Sequence, residues 1–245
     1  MRRDLEAFAI SVAGQTSRPN GDDWLVDTER CLFAVADGVG GRPGGADASR
    51  LGISTAANHF LSSLTKEHED LAQALREGFR RANAALLSLG SREPELSGIS
   101  TTLTMLALDA HTGHITHVGD SRLYQVHDGE LVQLTEDQNL RAEMVRKRRL
   151  TESTAARHPL RGMLLNVIGS ESYAGPSQNE LSVEPNDLLL LCTDGLADAM
   201  PNEEIAALLK AHRGSSARSI CKAVVEATAG RTADDVTVVV VRVLA

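Results

Sequence analysis

Four apolar runs follow one another at 101–108, 114–118, 123–126 and 131–134, and no gap between them is long enough to hold a helix. Parallel neighbours need a crossover of roughly a dozen residues or more, so these strands must pair antiparallel. The link Asp128-Gly129 reads as a plain hairpin turn, because both residue types tolerate the left-handed backbone such a turn requires. Three further runs, at 31–36, 188–192 and 236–243, read as strands. Helical spacing of Ala, Leu and Phe marks 46–62 and 71–89, and two more helices are expected over 203–211 and 217–229.

This order predicts an α+β fold of antiparallel sheets with paired helices outside them, rather than a parallel doubly wound one. At 245 residues the chain fits one large domain, spanning 1–245, and 42% hydrophobic residues supply its core. Residues from about 140 to 175 break the pattern with a basic cluster, a polar stretch and His158-Pro159. They read either as a partly helical flap over the domain or as a solvated linker.

The charge balance excludes some functions. With 25 Lys and Arg against 33 Asp and Glu, the formal charge is −8, which disfavours nucleic acid and anionic membranes as partners. No apolar run approaches the ~20 residues that span a bilayer. The N-terminus lacks the apolar core of a signal peptide, so a cytoplasmic location is expected. Cys31, Cys192 and Cys221 show no CxxC spacing, and Cys31 and Cys192 read as buried free thiols. The histidines lack HxxxH and HExxH spacing, which argues against zinc.

Four aspartates occupy comparable places. Asp22 precedes the first strands, Asp37 and Asp194 each follow an apolar run, and Asp234 with Asp235 precedes the last one. Asp-Gly at a strand end is ordinary turn chemistry, and Asp37 or Asp194 alone would read that way. Context separates them from Asp128. Asp37 is followed by glycines at 38, 40, 41, 44 and 45, where a hairpin needs one or two. Carboxylates brought together by strand ends repel unless cations neutralise them. Oxygen ligands select Mg²⁺ or Mn²⁺. Two such ions activate a water and polarise a phosphoryl oxygen.

The ordered set Asn20-Gly21-Asp22, Asp37-Gly38-Val39-Gly40-Gly41, Ser100-Thr101-Thr102, Gly119-Asp120-Ser121-Arg122, Leu134-Thr135-Glu136-Asp137, His158-Pro159, Asp194-Gly195-Leu196 and Asp234-Asp235-Val236-Thr237-Val238 resembles the PP2C (PPM) metal-dependent protein phosphatases, bacterial members in particular. The resemblance implies a four-layer α/β/β/α sandwich of two packed antiparallel sheets flanked by pairs of helices, hydrolysis of phosphoserine and phosphothreonine esters on proteins, and a Ser/Thr kinase acting in opposition. It also implies two Mn²⁺ or Mg²⁺ ions. Asp37 would bridge them, the Gly38 carbonyl would bind one, Asp194 and Asp234 would complete the first metal's shell, and Asp22 would act mainly through bound water. Asp120 matches the ligand of a third, weaker site, and residues 140–175 match the family's flap.

Departures from the family pattern leave some choices open. Its phosphate-gripping arginine, five residues before the Asp22 position, would fall on Ser17, with Arg18 one place on. Either a shift in the loop lets Arg18 serve, or the acidic pair is Asp22-Asp23 and Arg18 holds its usual spacing. Asp23 is therefore an additional candidate. Val39 replaces a histidine of eukaryotic members and cannot donate a proton. Asp235 replaces a frequent asparagine, and either tightens cation binding or, more simply, faces solvent. Arg122 is positioned in sequence to fix Asp120 by a bidentate pair. Thr101 and Thr102 read as structural, His158 as a flap-packing residue, and Arg146-Lys147-Arg148-Arg149 as a solvated face that would attract acidic substrates if it lay near the cleft.

Competing functions are an esterase, suggested by Gly119-Asp120-Ser121 but lacking a late Asp-x-x-His, and a catalytically degenerate phosphatase-like module that binds without turnover. Loss of the ligand aspartates would mark the latter, and all four are present. Anti-sigma-factor antagonists are a further substrate class open to related phosphatases.

Overall fold

The computed structural model describes residues 4–15, 19–39, 44–64 and 70–244. One sheet holds, in spatial order, β1 (Leu5–Val12), β10 (Val236–Val243), β9 (Leu188–Cys192), β6 (Arg122–His127) and β7 (Glu130–Gln133). The other holds β2 (Asp22–Asp27), β3 (Leu32–Asp37), β4 (Leu103–Leu108), β5 (Thr112–Val118) and β8 (Ser177–Ser182). All the pairings within both sheets are antiparallel. We call them sheet A and sheet B.

Three apolar layers define the sandwich. Val239, Val241, Leu189 and Leu191 of sheet A meet Phe33, Val35 and Leu106 of sheet B between the sheets. On the outer face of sheet B, Ala34, Ala36 and Met105 pack on Ile53, Phe60, Leu75 and Phe79, from α1 (Gly45–Ser63) and α2 (Leu71–Arg92). On the outer face of sheet A, Val238, Val240 and Leu190 pack on Ile205, Leu209, Ile220 and Val224, from α6 (Asn202–Ala211) and α7 (Ala217–Thr228). The central strands are buried on both faces, which is why they read as unbroken apolar runs. Leu190 is fully buried, and its truncation to Ala would cost about 2–5 kcal/mol.

The sequence reading misses β1, β2 and β8, and all three are sheet edges. An edge strand is held by backbone pairing on one side only and need not be apolar on both faces. In β8 only Leu181 is buried. Cys31 is also corrected: it is a half-buried turn residue with φ 53°, and β3 starts one place later. The Asp128-Gly129 hairpin is as expected, with φ values of 49° and 85°.

Residues 140–176 contain α3 (Leu140–Arg146) and α4 (Glu152–Ala155). The return of this segment is tied down by the Leu140 amide on the Met163 carbonyl (2.9 Å) and the Leu165 amide on the Gln138 carbonyl (2.8 Å). Ile168 and Thr101 exchange amide–carbonyl bonds at 2.9 and 3.0 Å. These bonds fasten it beside the strand ends that carry the aspartates. No helix among the described residues is long and apolar enough to cross a membrane.

Candidate active site

Asp22 and Asp37 are register partners across β2 and β3, so their side chains share one face of sheet B. That face is the inner one, since Phe33 and Val35 alternate with Ala34 and Ala36. The Asp37 backbone is locked in place. Its amide donates to the Thr102 hydroxyl (2.9 Å), and its carbonyl accepts the Thr102 amide and the Thr101 hydroxyl, both at 2.8 Å. The two threonines that read as structural therefore aim Asp37. Gly38 follows, with its amide on the Gly21 carbonyl at 3.1 Å. A Cβ at Gly38 would lie 2.1 Å from the Gly45 carbonyl oxygen, so only glycine lets α1 start this close to the Asp37 strand end.

Sheet A supplies the facing carboxylates. Asp194 is the first residue of α5 (Asp194–Ala199), a helix the sequence reading does not anticipate. Thr193, just before it, donates its hydroxyl to Asp22 Oδ2 (2.8 Å) and accepts the Thr237 amide (3.0 Å). Asp234 Oδ1 accepts the Asp235 amide at 3.0 Å. Asp120 is buried beyond the end of β5 and accepts the Asn139 side-chain amide at 3.1 Å. Asn139 Oδ1 in turn caps α3 through the Ala142 amide (3.0 Å), which links Asp120 to the 140–176 segment.

Charge explains what this arrangement needs. Burial, with Asp194, Asp22, Asp234 and Asp120 adding to it, holds the Asp37 carboxyl well above the usual range. Burial and the charges of Asp120, Asp234, Asp198 and Asp22 do the same to Asp194. Asp22 is pushed up to about 7 by burial, reinforced by Asp235 and Asp234. Asp120 is pushed up to about 6 by burial, reinforced by Asp137 and Asp198. Asp234 also rises, through burial and then Asp235 and Asp198. Each carboxylate destabilises the others' ionised forms, the signature of a cluster awaiting positive charge.

One atom tests that fit directly. Asp194 Oδ1 is buried with no hydrogen-bond partner among the described residues, a position that costs free energy unless something binds it. Among the described residues no three His, Cys, Asp or Glu side chains have the geometry to hold a metal ion unaided.

The remaining candidates are placed as follows. Arg18 lies outside the described residues. Asp23 pairs with Ala36 and so lies on the helix-facing side of sheet B, away from Asp22 and Asp37, accepting the Trp24 amide at 2.9 Å. Arg122 does not fix Asp120. It forms a bidentate pair with Asp137 at 2.8 and 2.6 Å, and its Nη1 reaches Tyr124 Oη. Asp235 does not face solvent either, because its carboxylate accepts two backbone amides, from Gly14 and Gly21. His158 is half-buried and accepts the Leu160 amide. Arg146 and Lys147 are exposed and pair with Glu143. Sequence reasoning passes over Thr193, Asn139 and Asp198. An N-cap signal before 140 was available for Asn139, but nothing local announces the other two.

Residues 14–227 match the family model described as Protein phosphatase 2C. The chain belongs to the protein phosphatase 2C family. Bacterial relatives carry the name serine/threonine phosphatase, and that is the activity class of this chain. A putative protein phosphatase 2C-type from Streptococcus pyogenes is 33% identical over 78% of this chain and 79% of its own length. The Mycobacterium tuberculosis serine/threonine protein phosphatase PstP is 33% identical over 93% of this chain, which spans 43% of PstP. A crystal structure of the mycobacterial PstP superposes with a TM-score of 0.88 at 32% identity, covering 98% of this chain and 99% of that one. A structure of the PstP catalytic domain in complex with two manganese ions gives 0.86 at 29% identity, with coverage of 98% and 99%.

Proposed function

We propose that Asp22, Asp37, the Gly38 carbonyl, Asp194 and Asp234 hold two divalent cations, Mn²⁺ or Mg²⁺, and that Asp120 serves a third, weaker site. The observation that carries this reading is the unpartnered, buried Asp194 Oδ1 inside a group of carboxylates that raise one another's pKa. Bound there, the cations supply Lewis acidity toward a phosphoryl oxygen and make water nucleophilic near neutral pH.

The chain's own residues do the rest. Asp37 and Asp194, held by Thr102 and by the start of α5, set where positive charge sits between the sheets. Asp22, steadied by Thr193, orients water at the edge of that space. Arg18 grips the substrate phosphate, in the role the family resemblance suggests. In the reaction the water oxygen forms a new P–O bond as the bond to the serine or threonine oxygen breaks. The products are inorganic phosphate and the free hydroxyl side chain, which takes a proton. Val39 cannot give that proton, so it comes from solvent or a carboxyl. Asp23, on the far face of its strand, has no direct part.

Residues 140–175 act as a flap in a single domain, and Asn139 is its link to Asp120. The substrates are phosphoserine and phosphothreonine proteins, opposite a Ser/Thr kinase, in the cytoplasm. The test is turnover of a phosphothreonine peptide with Mn²⁺ and with EDTA, in wild type and in Asp37→Asn. Turnover lost on chelation, and reduced at least ~100-fold in the variant, supports the reading. Activity that survives both removes the metal assignment, and a folded wild type that turns over nothing is a binding module instead.

A further inference from the structure

Asp235 touches four parts of the site at once. Its Oδ1 accepts the Gly14 amide and its Oδ2 the Gly21 amide, both at 2.7 Å. Its own amide donates to Asp234 Oδ1 at 3.0 Å. Its carbonyl lies so close to Gly195 that a Cβ there would be 2.1 Å from the oxygen. Gly21 extends the connection, since its carbonyl accepts the Gly38 amide (3.1 Å) and the Ser49 hydroxyl (2.7 Å). Gly14 is equally confined, because a Cβ there would lie 2.2 Å from the Ala233 carbonyl oxygen. Asp235 thus joins the Asp194 and Asp234 strand ends of sheet A to the Gly21-Asp22 and Gly38 strand ends of sheet B.

We propose that Asp235 is a positioning residue that sets the spacing between the carboxylates contributed by the two sheets. The inference rests on the reading of those carboxylates as the cation-binding site, and deepens it. The chemistry of the contact explains why the residue is an acid. Two backbone N–H groups converge on two separate oxygens, and a carboxylate accepts at both. An asparagine accepts at one and turns its own N–H₂ toward the other donor.

The experiment compares wild type with Asp235→Asn, Asp235→Ala and the exposed control Glu29→Gln. The metal-free proteins are assayed for amide hydrogen exchange at Gly14 and Gly21, then for Mn²⁺ binding by calorimetry, then for kcat and KM on a phosphothreonine peptide. The expected result is loss of protection at both amides in Asp235→Ala and at one in Asp235→Asn. Mn²⁺ affinity should weaken by about tenfold or more in the alanine variant and by less in the asparagine variant, with Glu29→Gln unchanged. A merely structural residue would lower Tm and leave the Mn²⁺ affinity of the folded protein where it was. Should the alanine variant fail to fold, the near-isosteric asparagine variant decides alone. Wild-type Mn²⁺ affinity and kcat/KM in the folded variants overturn this inference and leave the functional reading standing. A wild type that binds no Mn²⁺ overturns both.

Discussion

The Thr193 hydroxyl and Asp22 Oδ2 lie 2.8 Å apart, a hydrogen bond that crosses from sheet A to sheet B. Because the same hydroxyl accepts the Thr237 amide, its one proton is committed to the carboxylate. Thr193→Val keeps the shape and removes the donor. A hydrogen bond to a charged group contributes about 1.5–3 kcal/mol, so kcat/KM should fall roughly 10- to 100-fold. Steady-state kinetics on a phosphothreonine peptide checks this, and an unchanged kcat/KM would remove Thr193 from the site.

Asp194→Asn should separate activity from stability. The substitution removes an ionisable group that raises the Asp37 carboxyl and is itself held well above the usual range by burial, so the metal-free protein should melt no lower than wild type near neutral pH. Activity should fall at least ~100-fold. Scanning calorimetry in EDTA beside an activity assay in Mn²⁺ reads both. A fall in metal-free Tm would mean that Asp194 stabilises the fold without a cation.

Metal-free stability should decline as pH rises through the weakly acidic range. The folded Asp22 and Asp120 carboxyls titrate near about 7 and about 6, against 3.8 for the ordinary side chain. From about pH 4 to 7 the folded state therefore holds protons that the unfolded chain has released. Stability from this source is fully present below about 4 and lost as pH climbs through 6 and 7. His117, buried and pushed down to about 4 mainly by that burial, acts with the opposite sign between 6.5 and 4. Asp22→Asn isolates the first effect: thermal melts from pH 5 to 8 in EDTA should slope less in the variant. With Mn²⁺ present, cations replace those protons and the stabilisation should grow with pH.

Arg122 and Asp137 are nearly buried, with 13% and 11% of their side chains exposed. Removing one partner strands the other. Arg122→Met should destabilise by about 3–5 kcal/mol, while pairing it with Asp137→Leu should recover much of that loss. Urea unfolding of the single and double variants tests the coupling, and additive losses would show that the pair carries none.

The central strands and the four helices of the outer layers were legible because burial writes itself into apolar spacing. Three of the four edges were not, since β1, β2 and β8 depend on a neighbour's backbone more than on their own side chains. Asp22, Asp37, Asp194 and Asp234 stood out by their places at strand ends, and the structure brings them into one field. Their supports were hidden by distance along the chain. Asp235 reaches Gly14 from 221 residues away and Thr193 reaches Asp22 across 171, separations over which no local pattern extends. Strand alternation separates neighbours that sequence order cannot: Asp22 and Asp23 are adjacent in the chain and lie on opposite faces of β2. Arg122 was misread for a similar reason, because its partner lies 15 residues on, beyond β7, rather than two residues back.

Strand β10 lies between β1 and β9, although β1 is the first strand of the described chain and β10 the last. During synthesis, sheet B can assemble as soon as β8 has emerged, with Asp22 and Asp37 already side by side. Sheet A cannot, because its first strand must wait for its last, a pairing of the long-range kind that forms slowly. Asp234 and Asp235 arrive with that closing strand. The acidic group between the sheets is therefore complete only when the pairing of greatest sequence separation in sheet A has formed.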